Sequence, residues 1–470
     1  MGKTASDSQI PTAQKLSPIN VLATSFGCII GWGSFVMPGT NFLPDAGPIG
    51  TIIAIFIGGI FFIIIAKTYA YMIEQFPNNG GSFGIVYHVL DKPHAFLTIW
   101  SFCFAYISLL WINAINFAPF TRFLVNDVFQ WGIDYTVVGY QIYLGEALVE
   151  LFILIFFGLF VAYGKKLVNI VQTTLFLLLI TSETILFFSI LLNTDLSILS
   201  HPAFIPGKPI PLQIYNVLLF VPWMFVGFGT ISFASNDFNF PIKKINCIMP
   251  LAIVLGMLDY CMLNTIAATA IPDGFSTNAE YIANLDKLNG IEKFPVLYSV
   301  TQKFGTYGSF LIWTAIFCAL SSSMIGFYRA LANIVKSLSD AKLLPQRYNA
   351  ISKDGTPRKA IFLIMALSVV IPFIGKNVTG WLTDATSISA TIAYAYMSYC
   401  CILVSSKNKH NFNKILAIIS LIISLMFFLI PLMTSMFFEN VFDTESYFIL
   451  AIWGLIGYGI TVILTENTKS

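Results

Sequence analysis

The sequence predicts an all-α integral membrane protein of about twelve transmembrane helices, built as a five-plus-five inverted repeat in which helices 1 and 6 are broken. Three observations predict it. Of 470 residues, 57% are hydrophobic and 10% charged, with a mean hydropathy of +0.79. A soluble domain carries roughly 25% charged residues, so this chain cannot solvate its surface in water and its solvent is lipid. Apolar runs long enough to cross a bilayer, about 20 residues each, recur along the whole chain. Finally, one pattern (glycine, aromatic, glycine, hydroxyl, apolar) occurs twice. It is Gly31-Trp32-Gly33-Ser34-Phe35 in the first run and Gly227-Phe228-Gly229-Thr230-Ile231 in the sixth.

The elements follow in chain order. Residues 1–17 are polar and read as a cytoplasmic tail without a cleavable signal. Spans at 18–43, 47–76, 95–124, 142–164 and 166–193 form a first five-helix repeat over 18–193. Spans at 214–240, 246–271, 305–337, 358–375 and 380–404 form a second over 214–404. Pro44 to Pro48, the Pro77-Asn78-Asn79-Gly80-Gly81 turn, the proline-rich loop 200–213 and Asp354-Gly355-Thr356-Pro357 mark the joins. Helix 6 begins five spans after helix 1, and an odd number of spans brings the second unit in from the opposite face. Two peripheral helices, 414–435 and 446–465, complete the chain over 414–465, with 466–470 a cytoplasmic tail. They pack at the edge of a monomer or between the protomers of a homodimer. With the N-terminus inside, eighteen Lys and Arg face the cytoplasm and six face outward, Lys67 within helix 2 completing the 25. That asymmetry places both termini in the cytoplasm, at the cell membrane.

Composition also excludes function classes. A net charge of +2, with no dense basic cluster, offers nothing that would track the phosphates of a nucleic acid. Seven cysteines fall in apolar stretches without metal-ligand spacing and read as small packing residues. The four histidines form no cluster with carboxylates or cysteines. An enzyme would need clustered ligands or a nucleophile beside a base, so no catalytic residue, metal or cofactor is expected.

The two glycine motifs carry the chemistry. In lipid, backbone outside a helix is tolerated only where it is buried in protein or lines a cavity. Matching breaks in two halves of a chain point to a transporter's binding site. Each break exposes N–H groups at one half-helix end and carbonyls at the other. A zwitterionic amino acid needs both, and no ionised side chain has to be buried to hold it. N–H groups of Gly33 and Ser34, with the Ser34 hydroxyl, are expected to hold a carboxylate. Carbonyls of Ile29, Ile30 and Val226 are expected to take the ammonium, at breaks formed by Gly31, Gly227, Gly229 and Thr230. Trp32, Trp223 and Phe228 supply walls and a gate. The same glycines would also serve close helix packing, as small residues do in membranes, but two copies in register favour a site.

Other intramembrane groups are candidates too. Asp259 lies deepest and is the first choice for a proton carrier. Lys67 either pairs with it or snorkels toward the cytoplasm. Glu150, Glu183 and Asp237 also lie within spans. Ser322 and Ser323, in the Ser321-Ser322-Ser323 run, are hydroxyls that would suit a sodium ion beside the helix-1 carbonyls, or would pack helices. Phe327 is a pocket or gate aromatic, and Asn113 meets either a substrate side chain or backbone across helices.

The run Gly27-Cys28-Ile29-Ile30-Gly31-Trp32-Gly33-Ser34-Phe35-Val36-Met37-Pro38-Gly39 resembles the helix-1 signature of the amino acid–polyamine–organocation superfamily. The stretch that follows, with Ala46-Gly47-Pro48, Tyr69-Ala70 and Phe76-Pro77-Asn78-Asn79-Gly80-Gly81-Ser82, is similar to that family too, as are Trp223-Met224-Phe225-Val226-Gly227-Phe228 with Pro241 in helix 6, and Leu343-Leu344-Pro345 resembles the family's usual exit from helix 8. The resemblance covers helices 1 to 10. It implies the fold named after the leucine transporter and amino acid transport by alternating access. It further implies that Trp223 packs on the substrate and that helices 3, 8 and 10 line the side-chain pocket. Where members of that family carry an acid after the helix-6 glycine, a lysine in helix 5 and an acid in helix 2, this chain has Gly229, Leu175 and Tyr71. The reading is therefore a secondary active permease for amino acids, neutral ones because no acid flanks the pocket, working as a proton symporter or an exchanger. The alternatives are a sodium-coupled carrier of another small amine or organic cation, and a membrane sensor that binds without transporting.

Overall fold

The computed structural model describes residues 15–77, 80–164, 166–200, 202–437 and 442–466. The expected tails lie outside the described residues apart from 15–17 and 466. Every predicted span is helical, and the ends depart from expectation mainly at breaks.

Span 1 is divided between α1 (Pro18–Ile29) and α2 (Trp32–Met37). Ser17 starts α1 through a capping box with Asn20, and Pro18 occupies the first turn, where its missing N–H has no partner to lose. A π-turn at Pro38–Phe42 leads from α2 into α3 (Leu43–Gln75), which is span 2. Within α3, Gly47 has φ +65 ahead of Pro48, a left-handed kink open to glycine without strain. Its Cβ would also lie 3.0 Å from the Ala203 carbonyl. The short α4 (Ser82–Val89), unassigned from sequence, precedes α5 (Lys92–Ile115) and α6 (Phe117–Val125), which divide span 3 at Asn116. An antiparallel hairpin of β1 (Asp134–Val137) and β2 (Tyr140–Tyr143) follows. Then come α7 (Leu144–Tyr163) and α8 (Lys166–Leu192), spans 4 and 5.

Span 6 is α9 (Ile210–Leu218), α10 (Val221–Phe225) and a 3-10 run over Val226–Asp237, with a bend of 41°. Span 7 is α11 (Ile245–Ala268), followed by the short α12 (Asn278–Ile282). Span 8, α13 (Pro295–Asp340), begins earlier than expected, because the chain passes through a kink at Gly305 with φ +54 rather than starting there. Span 9 is α14 (Arg358–Ser368), and spans 10 to 12 are α15 (Val378–Lys407), α16 (Asn411–Phe437) and α17 (Thr444–Glu466). Among the described residues nine helices are individually long and apolar enough to span, ten with the bent pair of span 6. The shortfall from twelve is physical. The break leaves α1 only 12 residues and joins α2 to span 2, and α14 stops after 11 before a 3-10 turn.

Helix α1 lies at the centre, packed on α8, α11, α13 and the 3-10 run of span 6. A cluster of buried rings, including Phe62, Tyr69, Phe102, Phe228 and Tyr394, joins α3, α5, span 6 and α15. Helix α17 is peripheral and turns Phe448, Leu455 and Tyr458 outward. It is fastened to α5 by Trp100 and Trp453, stacked at 4.4 Å. Each indole N–H of that pair donates to the other's carbonyl, at 2.9 and 3.0 Å.

Candidate substrate site

The first break is built from extended backbone. Ile30 has φ −100 and ψ 125, and Gly31 φ −147 and ψ −161. The chain leaves the helix at these two residues and resumes at Trp32. The freed Trp32 N–H donates to Asn113 Oδ1 at 3.2 Å. Asn113 Nδ2 in turn donates to the Leu109 carbonyl at 2.8 Å and to Ser323 Oγ at 2.9 Å. One amide thus ties α5 and α13 to the break.

A pocket of about 20 Å³ opens at this point. Of the residues singled out from sequence, it brings together Ile29, Gly31, Trp32, Gly33, Asn113, Trp223 and Ser323. The pocket walls themselves demand the glycines. A Cβ on Gly31 would lie 2.6 Å from Asn113 Oδ1, and one on Gly33 would lie 2.1 Å from the Trp223 ring. Trp223 Nε1 is buried without a hydrogen-bond partner, a donor left over in the pocket wall. No ionised side chain lines the pocket.

The second motif is placed differently. Gly227 sits where α1 crosses span 6, and its Cβ would fall 2.2 Å from the Cys28 carbonyl. A Cβ on Gly229 would lie 2.8 Å from the Tyr106 hydroxyl. These two glycines permit helix crossing and do not line the pocket. Val226 marks the change from α-helix to the 3-10 run and is buried, as Ile30 is at the first break.

The two motifs do share a local device. The Ser34 hydroxyl donates to the Gly31 carbonyl at 2.7 Å, and the Thr230 hydroxyl to the Gly227 carbonyl at 2.8 Å. In both copies the fourth residue closes a carbonyl near the break. The Ser34 hydroxyl, expected on a carboxylate, is therefore turned back onto its own turn, as is the Ser34 N–H, at 3.2 Å from the Gly31 carbonyl.

Other expectations also change. Phe228 does not line the pocket; it is buried among rings, 5.5 Å from Tyr69 and 5.6 Å from Tyr394. Phe327 packs on Tyr106 at 5.6 Å and does not line the pocket. Ser322 and Ser323 look in different directions. Ser322 accepts from Gln172 Nε2 at 2.7 Å while Ser323 holds Asn113. Lys67 Nζ donates to the Asn246 carbonyl at 2.8 Å, so it does not pair with Asp259.

Two further residues, Gln172 and Tyr260, tie helix 1 to its neighbours. Gln172 also donates to the Ala23 and Ser322 carbonyls at 3.2 Å each. It joins α8 to α1 and α13, and its only sequence signal is an amide inside an apolar span. The Tyr260 hydroxyl donates to the Ile29 carbonyl at 3.4 Å, the position expected to receive an ammonium.

Above and below, the pocket is closed unequally. On one side, Trp32 meets Phe294 edge-on at 6.1 Å and Phe294 meets Phe123 at 4.9 Å. The Lys376 ammonium lies 5.4 Å over Phe294. Burial, then Lys293 and Arg122, brings Lys376 down to about 8 from the ordinary lysine value. Beside it Arg122 forms a forked pair with Glu146 at 2.5 and 2.6 Å. On the other side, a cavity of about 110 Å³ runs past Thr24, Thr230 and Gly326 to Arg329 and Asp237. There the strand-like residue Leu16 bonds span 6, its N–H donating to the Asp237 carbonyl at 2.6 Å.

A family profile described as amino acid permease matches residues 16–460. The chain is 20% identical over 410 residues to a protein named cationic amino acid transporter 4, vacuolar, of Arabidopsis thaliana, covering 83% of this chain and 63% of that protein. It is 24% identical over 274 residues to the methylthioribose transporter of Bacillus subtilis (strain 168), covering 57% of this chain and 56% of that one. The chain thus spans less than two thirds of the length of either curated relative. Both relatives are named as transporters and neither as an enzyme. The apolar helices and the match over nearly the whole length make this multi-pass membrane protein a member of the amino acid permease family, within the amino acid–polyamine–organocation superfamily.

Proposed function

We propose that the protein is a secondary active transporter that moves neutral amino acids across the cell membrane by alternating access, as a proton symporter or an exchanger. The observation that carries this is the break at Ile30–Gly31, which opens peptide dipoles into a pocket lined by no ionised side chain. Backbone near Gly33 and the free Trp223 indole N–H suit a carboxylate, and the Ile29 carbonyl suits an ammonium. A cationic side chain would need an acid in this pocket, and none is there. This separates the proposal from what the name of the plant relative says of that protein.

At about 20 Å³ the pocket holds about one water, so an amino acid enters only when the walls part. Gly33 packs on Trp223 and the aromatic stack at Phe294 stands over Trp32, so these are the parts that move. The two five-helix repeats rocking against one another would supply that motion, with both termini on the cytoplasmic side. Uptake of a panel of labelled amino acids by proteoliposomes tests the reading. Neutral amino acids are expected to accumulate or exchange, and lysine and arginine to be excluded. Transport of lysine in preference to leucine would contradict the substrate class. Binding without flux for every member of the panel would favour a sensor.

A further inference from the structure

Two carboxyls lie deep between helices without a counter-ion. Glu183 on α8 and Asp259 on α11 are 0% and 1% exposed. They face each other, and none of their four oxygens has a hydrogen-bond partner outside the pair. Around them, α13 contributes the Cys318 thiol, and α11 itself contributes Tyr260 and Cys261. Among the described residues no lysine or arginine acts on the pair. Helix α3 passes close by, but its Lys67 is bonded to the Asn246 carbonyl.

Two facing carboxylates in such a place repel by about 4 kcal/mol at 4 Å even with an effective dielectric constant of 20, beyond the desolvation of each charge. A proton on one of them turns that repulsion into a charge-assisted O–H···O bond. The pair then titrates as a unit rather than as two residues. We propose that Glu183 and Asp259 together form the proton-binding site that couples proton flow to transport. This deepens the transporter reading and rests on it.

The geometry links the pair to the broken helix. Asp259 precedes Tyr260, whose hydroxyl donates to the Ile29 carbonyl at the break. Asp259 and Phe26 of α1 wall the same cavity, of about 490 Å³, between α8 and α11. Phe26 also packs on Phe176 of α8 at 5.2 Å. When α1 moves, the wall beside Asp259 moves with it, and a path for water to the carboxyls opens. The carboxyl O–H bond then breaks, the proton passes to that water, and a carboxylate remains. When that path opens to the outer solution, a proton from it restores the O–H bond.

Infrared difference spectroscopy of the wild-type protein across a pH titration reads the pair directly and needs no transport. The expected result is a protonated-carboxyl band at neutral pH that is lost in the Glu183→Gln, Asp259→Asn double variant. Absence of the band from the wild type, or its survival in the double variant, overturns the proposal. In proteoliposomes, each single variant is expected to lose accumulation driven by a pH gradient while keeping exchange of a labelled neutral amino acid across equal pH. Gradient-driven accumulation that persists in both variants overturns the coupling role. So does loss of exchange together with accumulation in both, which would make the pair structural. If the wild type moves no amino acid, the transporter reading fails while the infrared band still decides whether the pair holds a proton.

Discussion

Gly33 and Trp223 meet in the proposed site at the scale of single residues. A Cβ on Gly33 would overlap the indole ring, and overpacking a filled interior costs about 1–3 kcal/mol. Gly33→Ala is therefore expected to displace Trp223, lower the thermal midpoint in detergent and weaken the midpoint shift given by a bound amino acid. Gly380→Ala, on α15 with nothing within 4 Å of the new carbon, is expected to leave both unchanged or to raise the midpoint slightly through helix propensity. Equal effects at the two glycines would remove the steric argument.

Lys376 makes a pH-dependent prediction. Its value in the folded protein, about 8, lies below the ordinary lysine value, so above pH 8 the unfolded chain binds more protons than the folded one. Stability from this group accordingly rises with pH from about 8 until the unfolded lysine also titrates. Thermal midpoints of the wild type are expected to gain on Lys376→Met when followed from below pH 8 to about pH 10. A constant difference across that range would contradict the assignment. At this scale the sequence was informative where chemistry is written in backbone. Gly31, Trp32, Gly33, Asn113 and Trp223 meet at one pocket. Roles that depend on rotamers were not legible. Ser34 and Thr230 turn their hydroxyls inward onto carbonyls, and Phe228 belongs to an aromatic core assembled from four distant segments.

Among elements, the two breaks differ more than their matching motifs suggest. Helix 1 breaks through two extended residues, whereas span 6 bends near Leu219–Phe220 and then tightens into a 3-10 run of 12 residues. Such runs are uncommon beyond three or four residues and often mark hinges. Periodicity cannot separate a 3-10 turn from an α-turn over so few residues, so this was hidden from the sequence. The hairpin at 134–143 was hidden too, because it lies in a loop read only for charge.

The bridge from Leu16 to Asp237 and Asn239 fastens the start of α1 to the end of span 6. Leu16→Pro removes the N–H that donates to Asp237. It is expected to loosen that end of the molecule and to raise labelling of a cysteine placed at Asn333, on the cavity wall, by a membrane-impermeant thiol reagent added from the side on which Leu16 lies. Unchanged labelling would show that the bridge closes nothing. At the opposite end, Glu146→Gln breaks the forked pair with Arg122. That is expected to lower the unfolding free energy by about 1.5–3 kcal/mol, the usual worth of a hydrogen bond to a charged group, checked by thermal unfolding.

Taken whole, the molecule was the most legible part, because lipid restricts a chain to so few solutions. Composition alone required helices, and the hydrophobic runs counted twelve where the described residues form twelve helical segments, three of them (spans 1, 6 and 9) too short or too bent to pass as spans by themselves. What composition did not reach is which face each helix buries, and hence that Glu183 and Asp259 meet. Their separation in sequence hides a contact that only packing of α8 on α11 creates.

On the proposed reading, the fracture at Ile30–Gly31 forms the substrate site. The most direct measurement is exchange of labelled leucine by proteoliposomes carrying the wild type, Gly33→Leu or Gly380→Leu, with reconstitution checked by thermal unfolding. Exchange is expected in the wild type and in Gly380→Leu and its loss in Gly33→Leu. Undiminished exchange by a folded Gly33→Leu protein would contradict the account.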